Sequence, residues 1–258
     1  MAESPMYRVV QCVPTGEKPV KAAILVFDEH IEVFQDKSLI TENIVAAVLR
    51  TDQWEIGVIS VYFEGDEPIE PYLEQLGSVT KKLKTKMVLI GGDVNAWSEW
   101  WGSRNEDTRG KELRGFLDEE GLSILNCGNT PTFDTVRGGR RYTSAVDITV
   151  CTTALLSKVT RWWVDTSITS SDHNTIFMTT ALQKPQTHNL PKTTRKYSTK
   201  NADWEEFKNK VRTGHINHDI TQEKIQGQPC DSVTHFSNSH SGFRIGGRSQ
   251  ISREAVIL

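Results

Sequence analysis

Short apolar runs rich in β-branched residues recur along this chain: AAILVF (Ala22 to Phe27), IVAAVL (Ile44 to Leu49), WEIGVISVYF (Trp54 to Phe63) and MVLIGG (Met87 to Gly92). Their length and composition predict buried strands. Between the last two the period changes. In PIEPYLEQLGSVTKKLKT, Ile69, Leu73, Leu76, Val79 and Leu83 recur at helical spacing with lysines gathered near the end, which predicts a crossover helix. A second helix is expected in TRGKELRGFLDEEG, where Leu113, Phe116 and Leu117 share a face and Gly121 supplies a stop. LSILN, YTSAVDITVCT, VTRWWVD and NTIFMTTAL return to strand character, so the pattern as a whole predicts an α/β fold with a mixed sheet arrangement.

The pattern changes after Leu182. QKPQTHNLPKTTRKYSTK is polar and basic with two prolines and reads as a linker, followed by one short helix in ADWEEFKNKV, so that 183–215 forms a connecting segment. Residues 216–258 are Ser/Gly-rich without period, and disorder is the expectation there.

Composition narrows the classes of function. A formal net charge of -3 gives no global basic field, so any nucleic-acid binding has to come from a local cluster. Four cysteines (Cys12, Cys127, Cys151, Cys230) are scattered without a CxxC pair, which argues against a zinc knuckle or a disulfide framework. The amino end lacks a charged segment followed by an apolar one, and no apolar run is long enough to cross a membrane. An intracellular protein without membrane contact is the expectation.

Candidate chemistry gathers at strand ends. Asp93 and Asn95 follow the strand that closes on Gly91 and Gly92, and in α/β folds sites collect at the carboxyl ends of strands. Residues two apart share a face if the strand persists. An Asx turn capping the strand is the commoner outcome for an isolated D-x-N. Asp147 lies inside the apolar SAVDITV, where a carboxylate is costly unless paired, although an outward-facing Asp on a half-exposed strand also fits. SSDHN sets Asp172 beside His173 just before another strand, where turn chemistry is the alternative. Together the carboxylates, amide and imidazole suit phosphodiester hydrolysis: oxygen ligands hold a hard cation, a base activates water, and donors stabilise the pentacovalent phosphorus. TVRGGRRYTS reads as a hairpin tip, with Arg137, Arg140 and Arg141 around Gly138 and Gly139; solvated charge is its bland reading. Trp97, Trp100 and Trp101 could shape a DNA-facing loop, though aromatics near a strand end are more often core.

Taken in order, GGDVNAWSEWWGS, NTPTF, YTSAVDITV and SSDHN resemble the endonuclease/exonuclease/phosphatase superfamily, and within it the apurinic-type endonuclease domain of non-LTR (LINE-like) retrotransposons of insect type. The likeness covers approximately Tyr7 to Leu182. It implies a four-layer sandwich of two packed mixed β-sheets flanked by helices, and a nuclease that requires Mg²⁺ or Mn²⁺ and nicks DNA in the nucleus. It further implies that Asp93 handles the proton of the attacking water or leaving oxygen, that Asn95 positions the phosphate, and that Asp147 orients the ring of His173. Asp172 would lie on the metal side, Thr132 and Ser144 would help shape the site, and the arginine hairpin would reach into a DNA groove.

The family begins with a strand carrying Gln-x-Asn, then a helix, then a strand ending in Gln-Glu whose carboxylate is a principal metal ligand. Only 21 residues precede AAILVF here, so the expectation is a domain over 1–182 that lacks the first strand-helix-strand unit, with Glu3 as a candidate replacement ligand. The segment 183–215 resembles the linker to a reverse transcriptase, but no Y-x-D-D motif follows. Two other readings stay open: a catalytically inert remnant that at most binds DNA, and a small-molecule phosphoesterase of the same superfamily. The arginine-flanked hairpin and the linker favour DNA.

Overall fold

Six strands form the sheet on which the rest is built. In the computed structural model, which describes residues 7–13, 19–168, 171–182 and 256–257, its order is β3 (Glu32–Phe34), β4 (Ile44–Arg50), β5 (Glu55–Tyr62), β6 (Val88–Asp93), β10 (Asp147–Thr152) and β7 (Leu122–Ile124). Only β5 and β6 are parallel, and α1 (Glu70–Lys82) makes the crossover between them. Every other neighbouring pair in the sheet is antiparallel.

The near-continuous apolar character of β4, β5 and β6 follows from burial on both faces. On one face Ile44, Ala46, Ile59, Val61, Val88, Ile90, Ile148 and Val150 pack against Leu73, Leu76 and Val79 of α1 and against Leu113 and Leu117 of α2 (Thr108–Glu119). On the other, Val45, Ala47, Leu49, Ile56, Val58, Leu89 and Cys151 meet Val10 of β1 (Arg8–Gln11) and Ile24 and Val26 of β2 (Ala23–Val26). β11 (Val159–Asp165) and β12 (Thr175–Thr180) pair as an antiparallel ribbon, with Val159 and Met178 partly buried against the same core. Trp162 of β11 donates its indole N–H to Thr149 Oγ1 of β10 at 3.0 Å, tying the ribbon to the central sheet. The α/β sandwich is therefore present: helices, the six-stranded sheet, then a second β layer.

Within the described residues the predicted elements appear, with differences at the edges. β1 and β3 carried little apolar signal because they are mostly exposed. YTSAVDITVCT, read as one strand, divides at Ala145 and Val146 into β9 (Arg140–Ser144) and β10. β9 pairs instead with β8 (Phe133–Arg137) in a separate hairpin, whose two-residue turn is Gly138 and Gly139, both at positive φ. A four-residue helix, α3 (Thr153–Leu156), follows β10. Val256–Ile257 forms β13 against β2. Cys127 is disulfide-bonded while Cys12 and Cys151 are free, a pairing that the spacing in sequence does not report. The 183–215 linker and Glu3 lie outside the described residues.

Gly92 controls how β6 delivers its last residue. Its φ is +145°, and a Cβ there would lie 1.9 Å from the Val61 carbonyl oxygen of β5. Gly92→Ala should therefore combine backbone strain of roughly 1–3 kcal/mol with a clash that pushes β6 off β5. Urea denaturation should show that loss; unchanged stability would mean the strand end tolerates a side chain.

Candidate active site

Antiparallel pairing of β6 with β10 sets Asp147 directly opposite Asp93, so two carboxylates meet at the same edge of the sheet. The Asp147 end is held by its backbone. Thr132 Oγ1 accepts from the N–H groups of both Val146 and Asp147 at 3.1 Å, and Asn126 donates to the Asp147 carbonyl at 2.9 Å. Thr132 thus holds the start of β10 through the main chain. Ser144 contributes its carbonyl to the Thr132 N–H at 3.0 Å.

His173 comes from the second layer, just before β12. Its Nδ1 lies 3.0 and 3.2 Å from the two Asp147 oxygens, and its Nε2 lies 3.8 Å from Asp93 Oδ2. A β-bridge to Phe133 and an edge-on ring contact with it, centroids 5.1 Å apart, fix the imidazole. Asn174 adds a backbone bond to Thr132 and a side-chain bond to Pro131. A hydrogen bond from Nδ1 to a carboxylate sets the tautomer and turns Nε2 towards Asp93.

Asn95 sits at φ +45°, a left-handed conformation that Asn tolerates better than most residues. Its N–H donates to Asp93 Oδ1 at 2.9 Å, and its Nδ2 donates to Phe63 O at 2.9 Å and to Asp93 Oδ2 at 3.2 Å. Both amide hydrogens bond within the protein, so Asn95 orients Asp93. Asp172 stands beside the imidazole. It is half-exposed at the rim, 3.8 Å from Arg137, and outside the cluster of Asp93, Asp147 and His173 whose ligand atoms all lie within 4.8 Å of one another. The hairpin arginines are exposed, with Arg141 paired to Asp134 through Nε at 2.8 Å.

Arg109 was not legible beforehand. From the first turn of α2 it donates to the carbonyls of Asn95 (2.8 Å), Val94 (3.2 Å) and Glu67. It clamps the segment after β6 and adds positive charge near Asp93. No local pattern signals a partner fourteen residues away in sequence.

Burial raises the Asp93 pKa to about 6, with the Asp147 charge adding to the effect and the Asn95 hydrogen bond, His173 and Arg109 opposing it. His173 is also raised, first by its bond to Asp147 and then by the charges of Asp147, Asp93 and Asp172, against desolvation. The two carboxylates offer hard oxygen donors suited to a divalent cation, with the imidazole beside them, and the repulsion between the carboxylates is what a cation would relieve further. A cleft of about 400 Å³ opens beside the trio, lined also by Gly91, Ile148, Asn174 and Ile176.

The two shifts act on stability in the same sense with pH, because both groups bind their protons more tightly in the folded chain. Asp93 holds its proton more tightly folded than at its ordinary value of 3.8, so folding loses stability as pH rises from about 4 to about 6, and the loss is complete above that. The His173 contribution is full below its ordinary value of 6.5 and is lost as pH rises through the folded value. Asp93→Asn should thus stabilise the chain in EDTA by roughly 1–3 kcal/mol near pH 7, with the gain shrinking towards about pH 4, as read from urea denaturation. A divalent cation should narrow the gap by stabilising wild type alone. A gain independent of pH would sever it from carboxylate ionisation.

Comparison with known proteins relates the chain to a family, to whole relatives and to solved structures. Residues 56–177 match the family described as Endonuclease-reverse transcriptase. A 115 kDa protein of the type-1 retrotransposable element R1DM of Drosophila melanogaster is 29% identical over 65% of this chain, and the Pol polyprotein of the type-1 element R1 of Bradysia coprophila is 26% identical over 74%. The chain spans 17% and 20% of those two proteins. Among solved structures, the endonuclease domain of TRAS1, a telomere-specific non-LTR retrotransposon, is 50% identical with a TM-score of 0.67, covering 69% of this chain and 81% of that one. Among the described residues, no helix is long and apolar enough to cross a membrane.

Proposed function

The chain belongs to the endonuclease/exonuclease/phosphatase family, in its retrotransposon endonuclease branch, and from this we propose that it is a phosphodiesterase that nicks DNA at the site of Asp93, Asp147 and His173. The observation that carries the reading is the His173 geometry: one nitrogen bound to Asp147, the other directed at Asp93 across the open end of the cleft.

Each residue follows from its contacts. Asp147 keeps the imidazole in one tautomer and favours its protonated form, so Nε2 can donate to a phosphate oxygen as negative charge builds there. Asp93, oriented by Asn95, is the carboxylate placed to accept a proton from attacking water. Asp93 and Asp147 would hold Mg²⁺ or Mn²⁺, which when bound supplies positive charge at the phosphate. Asp172 and Arg137 form the rim nearest the imidazole. The polypeptide 183–215 is a linker on this reading, and the nucleus is where such an enzyme would meet its substrate.

Conversion of supercoiled plasmid to open circle tests the assignment. Nicking should require the divalent ion, and His173→Ala should reduce it by roughly 100- to 10,000-fold, with Asp147→Asn impaired beyond any loss of folding. Full activity in His173→Ala would sink the reading. The hairpin supplies a second measurement. Arg137→Ala and Arg140→Ala should each lower the salt slope of DNA affinity by about 1. Arg141→Ala should change it less, because Arg141 is already engaged by Asp134. An unchanged slope in all three would make the hairpin a solvated turn.

A further inference from the structure

The three tryptophans after Asp93 take different positions. Trp101 is 2% exposed and donates its indole N–H to the Ala96 carbonyl at 3.1 Å, so it belongs to the core. Trp97 and Trp100 are 47% and 57% exposed. Nothing about their loop is loose. Asp107 bonds the Trp97 N–H through its carboxylate and the Trp97 carbonyl through its own N–H. Gly110 of α2 lies so near that a Cβ there would be 1.9 Å from the Trp97 carbonyl oxygen. Buried Ser98 bonds Glu106 at 2.9 Å and caps the turn that carries Trp100. The guanidinium of Arg114 stands 5.5 Å from the centre of the Trp100 ring and is itself held by Glu106.

A loop restrained at so many points spends backbone order on holding two indoles in water, which burial alone would oppose. The loop is also continuous with the site. It leaves β6 at Asp93 and returns at Ser103, which donates to the Ala145 carbonyl at 2.7 Å, two residues before Asp147. Its chemistry, flat aromatic faces backed by an arginine, is that of a stacking platform for nucleobases.

We propose that Trp97 and Trp100 form a platform on which a nucleobase next to the scissile phosphate stacks, so that the domain favours DNA that is locally unstacked. This rests on the DNA-nicking reading. A base within an intact duplex has both faces covered, so stacking on an indole requires it to leave its neighbours, which costs least at a mismatch or a flexible step. The platform therefore selects for DNA deformability, while the hairpin arginines supply attraction to the backbone.

The test uses the full chain in EDTA with fluorescently labelled duplexes, one perfectly paired and one with a central mismatch, read by anisotropy over a salt series. Wild type should bind the mismatched duplex more tightly. The double variant Trp97→Ala/Trp100→Ala should lose roughly 5- to 100-fold in affinity for it, bring the mismatch preference close to one, and keep the wild-type salt slope and melting temperature. The Phe pair, Trp97→Phe/Trp100→Phe, should recover most of the preference because a stacking face remains. Wild-type affinity and preference in the Ala pair overturn the platform alone and leave a surface for a protein partner. A wild type that neither binds nor nicks DNA overturns the platform and the nuclease reading together.

Discussion

The pairing of β6 with β10 is the constraint from which the site follows, because its register places Asp93 and Asp147 opposite one another at the end of a buried sheet. Two carboxylates in that position repel and are poorly solvated, and the raised pKa of Asp93 expresses both effects. The surroundings respond with hydrogen-bond donors and positive charge. Asn95 gives Asp93 two N–H bonds, Arg109 stands nearby, and His173 lies between the pair. The site is thus held in a state that a cation and an anionic phosphate can complete, at the expense of stability in their absence.

Such a site works only if its two halves keep their positions, and they come from different layers. Asp93 and Asp147 belong to strands packed on both faces, where sliding would disturb two cores at once. His173 belongs to the second layer and reaches the pair through a set of polar ties: Trp162 to Thr149, Phe133 to His173, and Asn174 to Thr132 and Pro131. Thr132 is common to both halves, since its hydroxyl receives the Asp147 N–H while its carbonyl receives that of Asn174. The imidazole–carboxylate pair therefore depends on the docking of the second layer.

Two further features adjoin this edge of the sheet. The hairpin of β8 and β9 carries arginines past a turn that only two successive left-handed residues can make, and glycine fills both places. The tryptophan loop lies against the strand that begins at Asp147. Positive charge and flat aromatic surface flank the acidic pair, which attracts a cation but repels a phosphate unless that cation is present.

The type of each long element was readable from the sequence, because the hydrophobic period records how much of each segment is buried, and that is a local property. So were the acidic residues at strand ends, since Gly91, Gly92 and the apolar run before Asp93 mark where the strand stops. Edge strands β1 and β3 left no such record, having few buried positions. Which side chain touches which was decided only in three dimensions. Asn95 turned inward because Phe63 O and Asp93 are both within reach of its amide, Asp172 moved to the rim beside Arg137, and Arg109 closed a contact that no neighbouring residue announces. Three tryptophans in one short motif were equivalent in sequence, yet Trp101 entered the core while Trp97 and Trp100 stayed out. The reason is the same in each case: periodicity reports the environment of a face, whereas a partner is set by the register between segments distant in the chain, and that register exists only once the sheets have packed.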